Sequence, residues 1–343
     1  MIKRMLGLLA IAAMFTGCSP VTVSLTLFAD GSKLLETTVD ADQNATDKVA
    51  VIDIRGLISE KEDAGLLSLG GSSVDELVAR LRVAENDRYV IAVILRINSP
   101  GGTVTASDMM YREVRRFVDE TKKPVIASLG EVAASGGYYL ALSADRIIAE
   151  PTSITGSIGV IIPTVNVSEG LNKIGIKSRS IKSGKNKDLA NPLEPVREEQ
   201  YAVLQGMVDE FYARFKNLVV ERRSRAAALG TTSLDQTQLD DLTDGRIVTG
   251  AKATEFGLVD QSGGIREAFA LAKSLAGIDR AKMVKYYPEG GTRPRSAYAQ
   301  SLVPPPGASR EGEINLIQIR SGSMGPFGNV GFAGAYYLWM PPG

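Results

Sequence analysis

Between residues 48 and 287 the chain trades short apolar runs against longer stretches in which apolar residues recur every three or four positions. The run at 49–54 has buried-strand character and is closed by Gly56. The run at 90–97 is almost continuously apolar, as a parallel strand must be when both faces of its sheet are covered. Further strands are predicted at 125–128, 146–149, 158–162, 178–182 and 283–287. Helices are predicted at 73–86, opened by the capping box Ser73-Val74-Asp75-Glu76, and at 106–120, 136–144, 167–174 and 265–276. Pro195 opens a long helix whose Leu204, Val208, Phe211, Phe215 and Leu218 form a stripe suited to packing or oligomerisation. Strand and helix alternating at these intervals predict an α/β domain with a largely parallel sheet flanked by helices.

The flanks read differently. Lys3 and Arg4 precede an apolar run at 6–15 closed by Thr16-Gly17-Cys18, which is a secretory signal peptide, too short for a spanning helix. A cysteine directly after the small pair resembles the bacterial lipoprotein signal, with Phe15 where that signal usually has leucine. Residues 1–17 are therefore expected to be removed and the Cys18 thiol acylated; ordinary secretion with a free Cys18, or an uncleaved anchor, is the plainer alternative. Residues 18–47 read as a polar tether with one strand at 21–28. The remaining chain is then lipid-anchored in a bacterial cell envelope, outside the cytoplasm, and without a second cysteine it has no internal disulfide. Residues 288–343 read as a weakly ordered tail rich in Pro and Gly. Its Tyr336-Tyr337-Leu338-Trp339 cluster fits a self-docking segment, a partner site or neither. The Leu66-Leu67-Ser68-Leu69 loop fits a packed loop as well as a face toward substrate or membrane.

Composition narrows the chemistry. With 39 basic and 39 acidic residues the net charge is zero, so no polybasic field marks a nucleic-acid partner. Hydrophobic residues make up 44% of the chain, enough for a sizeable core. Histidine is absent altogether, which removes Ser-His-Asp and Cys-His hydrolases and imidazole-ligated zinc sites. Acid–base chemistry near neutral pH falls to a carboxylate, a lysine or a tyrosine.

Two glycine turns are expected at the carboxyl ends of strands, where open α/β sheets place their sites. One is Asn98-Ser99-Pro100-Gly101-Gly102; the other is Ala133-Ala134-Ser135-Gly136-Gly137-Tyr138. A serine opening a helix is more often an N-cap than a nucleophile, and a lone Gly-Gly pair is weaker still. Together they allow Ser135 to attack a carbonyl whose oxyanion is held by the Gly102 and Gly136 N–H groups. Lacking histidine, the base must come from the lysines, and Lys182, Lys185 and Lys187 lie too close together for spacing to choose among them. Tyr138 and Tyr139 read as core more readily than as pocket lining. Asp188 reads as a turn cap or as a modulator of the base.

Five motifs in order then carry a resemblance. They are 93–102 (VILRINSPGG), 134–139 (ASGGYY), 155–159 (TGSIG), 182–188 (KSGKNKD), and the pair 245–250 (GRIVTG) and 257–260 (GLVD). In these the chain resembles the signal peptide peptidase A family over residues 48–287. The resemblance implies the Clp-protease/crotonase fold and a membrane-side serine endopeptidase with a Ser/Lys dyad, acting on hydrophobic peptides such as remnant signal peptides. It places the nucleophile on Ser135, the base on Lys187, the oxyanion donors on Gly102 and Gly136, and the residue orienting the lysine amine on Ser157. It further implies a homo-oligomeric ring, of which an octamer is one expected size, with no metal or organic cofactor.

A lysine amine ordinarily titrates near ~10.4 and must be held neutral to accept a proton, which burial among apolar groups achieves. A crotonase-type acyl-CoA enzyme and a non-catalytic peptide-binding scaffold are the competing readings on the same fold.

Overall fold

The computed structural model describes residues 33–60, 72–228, 230, 233–235 and 237–299, and the backbone of 336–338. The signal segment with Cys18, the strand expected at 21–28 and the Leu66–Leu69 loop lie outside the described residues. In chain order the elements are strands β1 (Leu34–Ala41) and β2 (Lys48–Ile58), helix α1 (Ser73–Asn86), β3 (Val90–Thr103), α2 (Val104–Thr121), β4 (Val125–Ala134) and α3 (Gly136–Ala141). There follow β5 (Arg146–Ala149), β6 (Ile154–Gly156), α4 (Ser168–Lys173), the long α5 (Glu198–Ala228) and α6 (Leu239–Leu242). The chain continues with β7 (Ile247–Thr249), α7 (Gly250–Glu255), β8 (Gln261–Ser262), α8 (Ile265–Leu275), β9 (Lys282–Pro288) and β10 (Tyr336–Leu338).

The sheet runs β1-β9-β2-β3-β4-β5-β8. Pairing is parallel from β9 through β2, β3, β4 and β5 to β8, and antiparallel only at the β1 edge of this path. Both faces are covered, which is why the central strands are apolar at successive positions. Val93, Leu95 and Ile97 face a core shared with Leu77, Leu81, Met110, Val114, Phe117 and Phe215. Ala92 and Ile94 face the opposite layer, where α8 supplies Ile265, Ala268, Phe269 and Ala272. This is the α/β architecture, a largely parallel sheet flanked by helices, that the alternation of strands and helices predicted.

Four expectations are corrected. The N-cap of α1 is Ser72, whose hydroxyl accepts from the Asp75 N–H, while the Ser73 hydroxyl turns back to bridge the N–H and C=O of Ser59. The stretch 98–102 is strand rather than turn. The β2–β3 ladder shifts opposite Gly56, which sits at φ 66°, so Ser99 and Pro100 are absorbed as an irregularity and pairing resumes at Leu57↔Gly101. No strand forms at 158–162; the strand there is β6, ended by Gly156 (φ 81°) and Ser157 (φ 51°), and the chain then leaves the sheet. Residues 178–182 form no strand either, and Ile181 is fully exposed. Within the stretch read as a tether, β1 adds an antiparallel edge to β9.

Helix α5 is locked across the domain by a buried ion pair. Arg223 donates to Asp260 Oδ1 at 2.7 Å and to the Gly257 carbonyl at 2.6 Å, with side chains 2% and 3% exposed. Asp260 in turn accepts from the Ile147 N–H on β5 at 2.6 Å. Removing one partner strands the other's charge out of water. Arg223→Ala is expected to lower the unfolding free energy by about 3–5 kcal/mol in a urea titration; a loss below about 1 kcal/mol, the scale of an exposed pair, contradicts this account.

Candidate active site

The site is built where β4 ends. Its ladder with β3 runs from Val93↔Val125 to Ser99↔Ala133, and its ladder with β6 ends at Ala134↔Gly156. Ser135 follows at once with φ 53° and ψ −115°, a conformation non-glycine residues adopt only when held there. The holding groups are its own backbone: its N–H donates to the Gly156 carbonyl at 2.8 Å, and its carbonyl accepts the Tyr139 N–H at 2.8 Å. Two hydroxyls tie the β6 side to β4, Ser153 donating to the Gly130 carbonyl and Thr155 to the Ala133 carbonyl.

Helix α3 is then bolted beneath the turn. Tyr138 donates its hydroxyl to the Leu258 carbonyl at 2.7 Å, and Tyr139 donates to Asp108 Oδ1 at 2.8 Å. Both rings are buried, so the core reading of these tyrosines holds. Burial pushes both hydroxyls well above the usual phenol range, keeping them as neutral donors. The backbones here approach so closely that side chains are excluded. A Cβ on Gly137 would sit 2.8 Å from the Ser99 carbonyl oxygen, and one on Gly102 would sit 1.8 Å from that of Ile58.

The Ser135 hydroxyl is buried and has no hydrogen-bond partner among the described residues. Such an orphan is unusual for a buried polar atom and points to a group awaiting a partner. Gly136 opens α3, so its N–H belongs to those a helix leaves unpaired, and it lies next to the nucleophile candidate. Gly102 lies on β3 beyond the last β4 pair. Ser157 is 7% exposed and follows Gly156, whose carbonyl holds the Ser135 N–H. Ser135, Gly136, Gly102 and Ser157 thus gather at the carboxyl ends of β3, β4 and β6.

Lys187 is not gathered with them. It lies on an exposed turn, its N–H donating to the Gly184 carbonyl at 3.1 Å, and its amine makes no hydrogen bond or ion pair among the described residues. Since the Ser135 hydroxyl has no partner, no lysine amine of the same described chain is within hydrogen-bond reach of it. The structure does separate the three lysines. Lys182 is committed to Asp188, contacting its two oxygens at 2.6 and 2.5 Å. Asp188 also accepts from Arg197 at 2.6 Å and Gln200 at 3.1 Å, and Gln200 holds the Lys185 carbonyl. The hydrogen bond from Lys182 foremost, with Gln200 and Arg197 adding, holds the Asp188 carboxyl well below the usual range. Asp188 therefore ties the 182–188 loop to the start of α5, a role distinct from the turn cap and the modulator of the base that its position suggested.

The arm carrying Lys187 is also apolar where it meets water. Ile174 is 71% exposed, and Val165, Ile176, Leu193 and Val196 are exposed with it. Val160, Ile161 and Ile162 form an open groove with Tyr201, Leu204 and Val208 of α5. Leu204 and Val208 from the predicted stripe face this groove, whereas Phe215 is fully buried in the core. Breaking the loop's tie is expected to loosen the whole segment: Asp188→Asn is cut by trypsin after Lys182, Lys185 or Lys187 about tenfold faster than the native chain. An unchanged cutting rate contradicts that role.

Residues 118–279 match peptidase family S49. A relative named "Putative signal peptide peptidase SppA" from Enterococcus faecium is 31% identical over 76% of this chain and 72% of its own. "Putative protease slr0021" from Synechocystis sp. is 34% identical over 69% of this chain and 77% of its own. "Serine protease SPPA, chloroplastic" from Arabidopsis thaliana is 36% identical over 69% of this chain, which spans only 34% of that longer protein. A solved structure, a mutant of the 1510-N membrane-bound stomatin-specific protease, is similar over 66% of this chain with a TM-score of 0.40 and 17% identity. The chain belongs to peptidase family S49, the signal peptide peptidase A family of serine-type peptidases.

Proposed function

We propose that this chain is a membrane-associated serine endopeptidase that cleaves hydrophobic peptides such as remnant signal peptides, using Ser135 as nucleophile and Lys187 of a neighbouring copy as base. The observation that carries the reading is the buried, unpartnered Ser135 hydroxyl, held on a left-handed turn beside the Gly136 N–H. The exposed apolar residues around Lys187 favour an oligomer, because covering that arm would remove apolar area from water and desolvate the amine together. The name of the Enterococcus relative supports signal peptides as the substrate class. The segment ending in Cys18 supports a lipid anchor in the cell envelope. Among the described residues no helix is long and apolar enough to cross a membrane.

The chemistry follows from these groups. Ser135 Oγ attacks the peptide carbonyl as its proton passes to the neutral Lys187 amine, and the oxyanion is held by the Gly102 and Gly136 N–H groups. The tetrahedral intermediate collapses, the C–N bond breaks, and Lys187 returns the proton to the leaving amine. Water, deprotonated by Lys187, then attacks the acyl-enzyme, and Ser135 recovers its proton as the acid product leaves. Ser157 orients the amine between these steps.

Ser135→Ala and Lys187→Ala are each expected to abolish cleavage of an apolar peptide while leaving the assembly intact. Mixing the two inactive variants under conditions of subunit exchange should restore activity, to about a quarter of native when sites pair randomly across a closed ring. Full activity in either single variant removes the dyad. No restoration on mixing removes the shared site.

A further inference from the structure

Ser99 carries a buried hydroxyl at the site that takes no part in the chemistry above. The residue is fully buried on β3, and its backbone makes the last pairing with β4, opposite Ala133, just before the chain reaches Ser135. Its hydroxyl donates to the Gly56 carbonyl on β2 at 2.6 Å and accepts the Gly101 N–H at 3.1 Å. It also reaches the Gly101 carbonyl, at a longer 3.4 Å. On the α3 side, a Cβ on Gly137 would stand 2.8 Å from the Ser99 carbonyl oxygen and 3.5 Å from the Ser99 Cβ. Ser99 therefore touches Gly101 and packs against Gly137, the residues adjoining Gly102 and Gly136, whose N–H groups are the proposed oxyanion donors.

What the hydroxyl fixes is a peptide plane. The Gly101 carbonyl and the Gly102 N–H belong to one planar trans unit, so the direction of the first sets the opposite direction of the second. Gly101 sits at φ 109°, a region open to glycine, and Pro100 before it has no N–H with which to hold the turn. The β2–β3 ladder is broken at this point, between Arg55↔Asn98 and Leu57↔Gly101, and the β4 ladder has already ended. The Ser99 hydroxyl spans that break. It binds the 101–102 unit through the N–H and the carbonyl of Gly101 and anchors it to Gly56, and without it the unit would be freer to turn the Gly102 N–H away from Ser135.

We propose that Ser99 is a positioning residue for the oxyanion site, its hydroxyl aiming the Gly102 N–H at the carbonyl that Ser135 attacks. The proposal rests on the reading of Ser135 as nucleophile and deepens it. Ser99→Ala in the full chain tests it, with Ser99→Cys as a second variant that fills the space but accepts a hydrogen bond only weakly. For cleavage of an apolar peptide, kcat per folded assembly is expected to fall about a hundredfold, the scale of losing one oxyanion donor, while KM stays within about twofold. A peptide aldehyde, whose adduct with Ser135 carries the oxyanion, should lose affinity by the same factor. A role in folding alone would lower the yield of assembled protein and leave both quantities per assembly unchanged. Should Ser99→Ala fail to assemble, Ser99→Cys is held to the same outcomes. An unchanged kcat, a KM that rises as far as kcat falls, or an unchanged aldehyde affinity overturns the proposal. A native chain that neither cleaves the peptide nor binds the aldehyde overturns the peptidase reading itself, whereas an active native chain with an unimpaired Ser99→Ala overturns the role of Ser99 alone.

Discussion

The architecture turns on one backbone conformation, that of Ser135. A non-glycine residue at φ 53° and ψ −115° costs about 1–3 kcal/mol, and it persists only where its surroundings leave no alternative. Here its N–H donates to the Gly156 carbonyl and its carbonyl accepts from the Tyr139 N–H, so relaxing the turn would break the β4–β6 junction and the first turn of α3 together. Each of those neighbours is fixed in turn. The Tyr138 hydroxyl reaches the Leu258 carbonyl, and the adjoining Gly257 carbonyl and Asp260 carboxylate are held by the buried Arg223. Strain at the serine is thus distributed into β6, α5 and the 257–260 turn rather than stored locally.

In the proposed mechanism the absence of histidine leaves the base to a lysine. A lysine base must be neutral, and dryness is the means available to keep an amine so near neutral pH. A lysine already buried beside its serine would impose that desolvation cost on every isolated subunit. In the proposed assembly, the exposed position of the Lys187 arm would defer the cost to the moment a neighbour covers it, when burial of the arm's apolar residues would offset it. Asp188 fits this division, since it takes up Lys182 and Arg197 and leaves Lys187 without a competing ion pair among the described residues.

Much of this was legible in the chain itself. The strands at 49–54, 90–97 and 125–128 could be read because both faces of the sheet are covered, which forces apolar residues at successive positions. The continuation of β3 to Thr103 could not, because Pro100, Gly101 and Gly102 carry turn chemistry and only the Gly56 bulge on another strand lets them pair. The apolar stretch at 158–162 misled for a related reason: periodicity shows which residues are apolar, not whether they sit in a sheet or line an open groove. Ser73 misled because a capping pattern one residue early looks the same until Ser59 claims its hydroxyl. At the site, Ser135, Gly102 and Gly136 followed from strand ends and glycines. The choice of Lys187 came only with the family resemblance, and for Tyr336–Leu338 the apolar cluster allowed a self-docking segment without indicating that its partner is β3, more than two hundred residues away.

The claim on which the functional account stands is that Ser135 is the nucleophile and that it depends on Lys187. The most direct measurement is to react the assembled protein with a fluorophosphonate and locate the adduct by mass spectrometry of its peptides. The account predicts one adduct, on Ser135, absent from Lys187→Ala. An adduct on another residue, or peptide cleavage that continues with Ser135 unmodified, contradicts it.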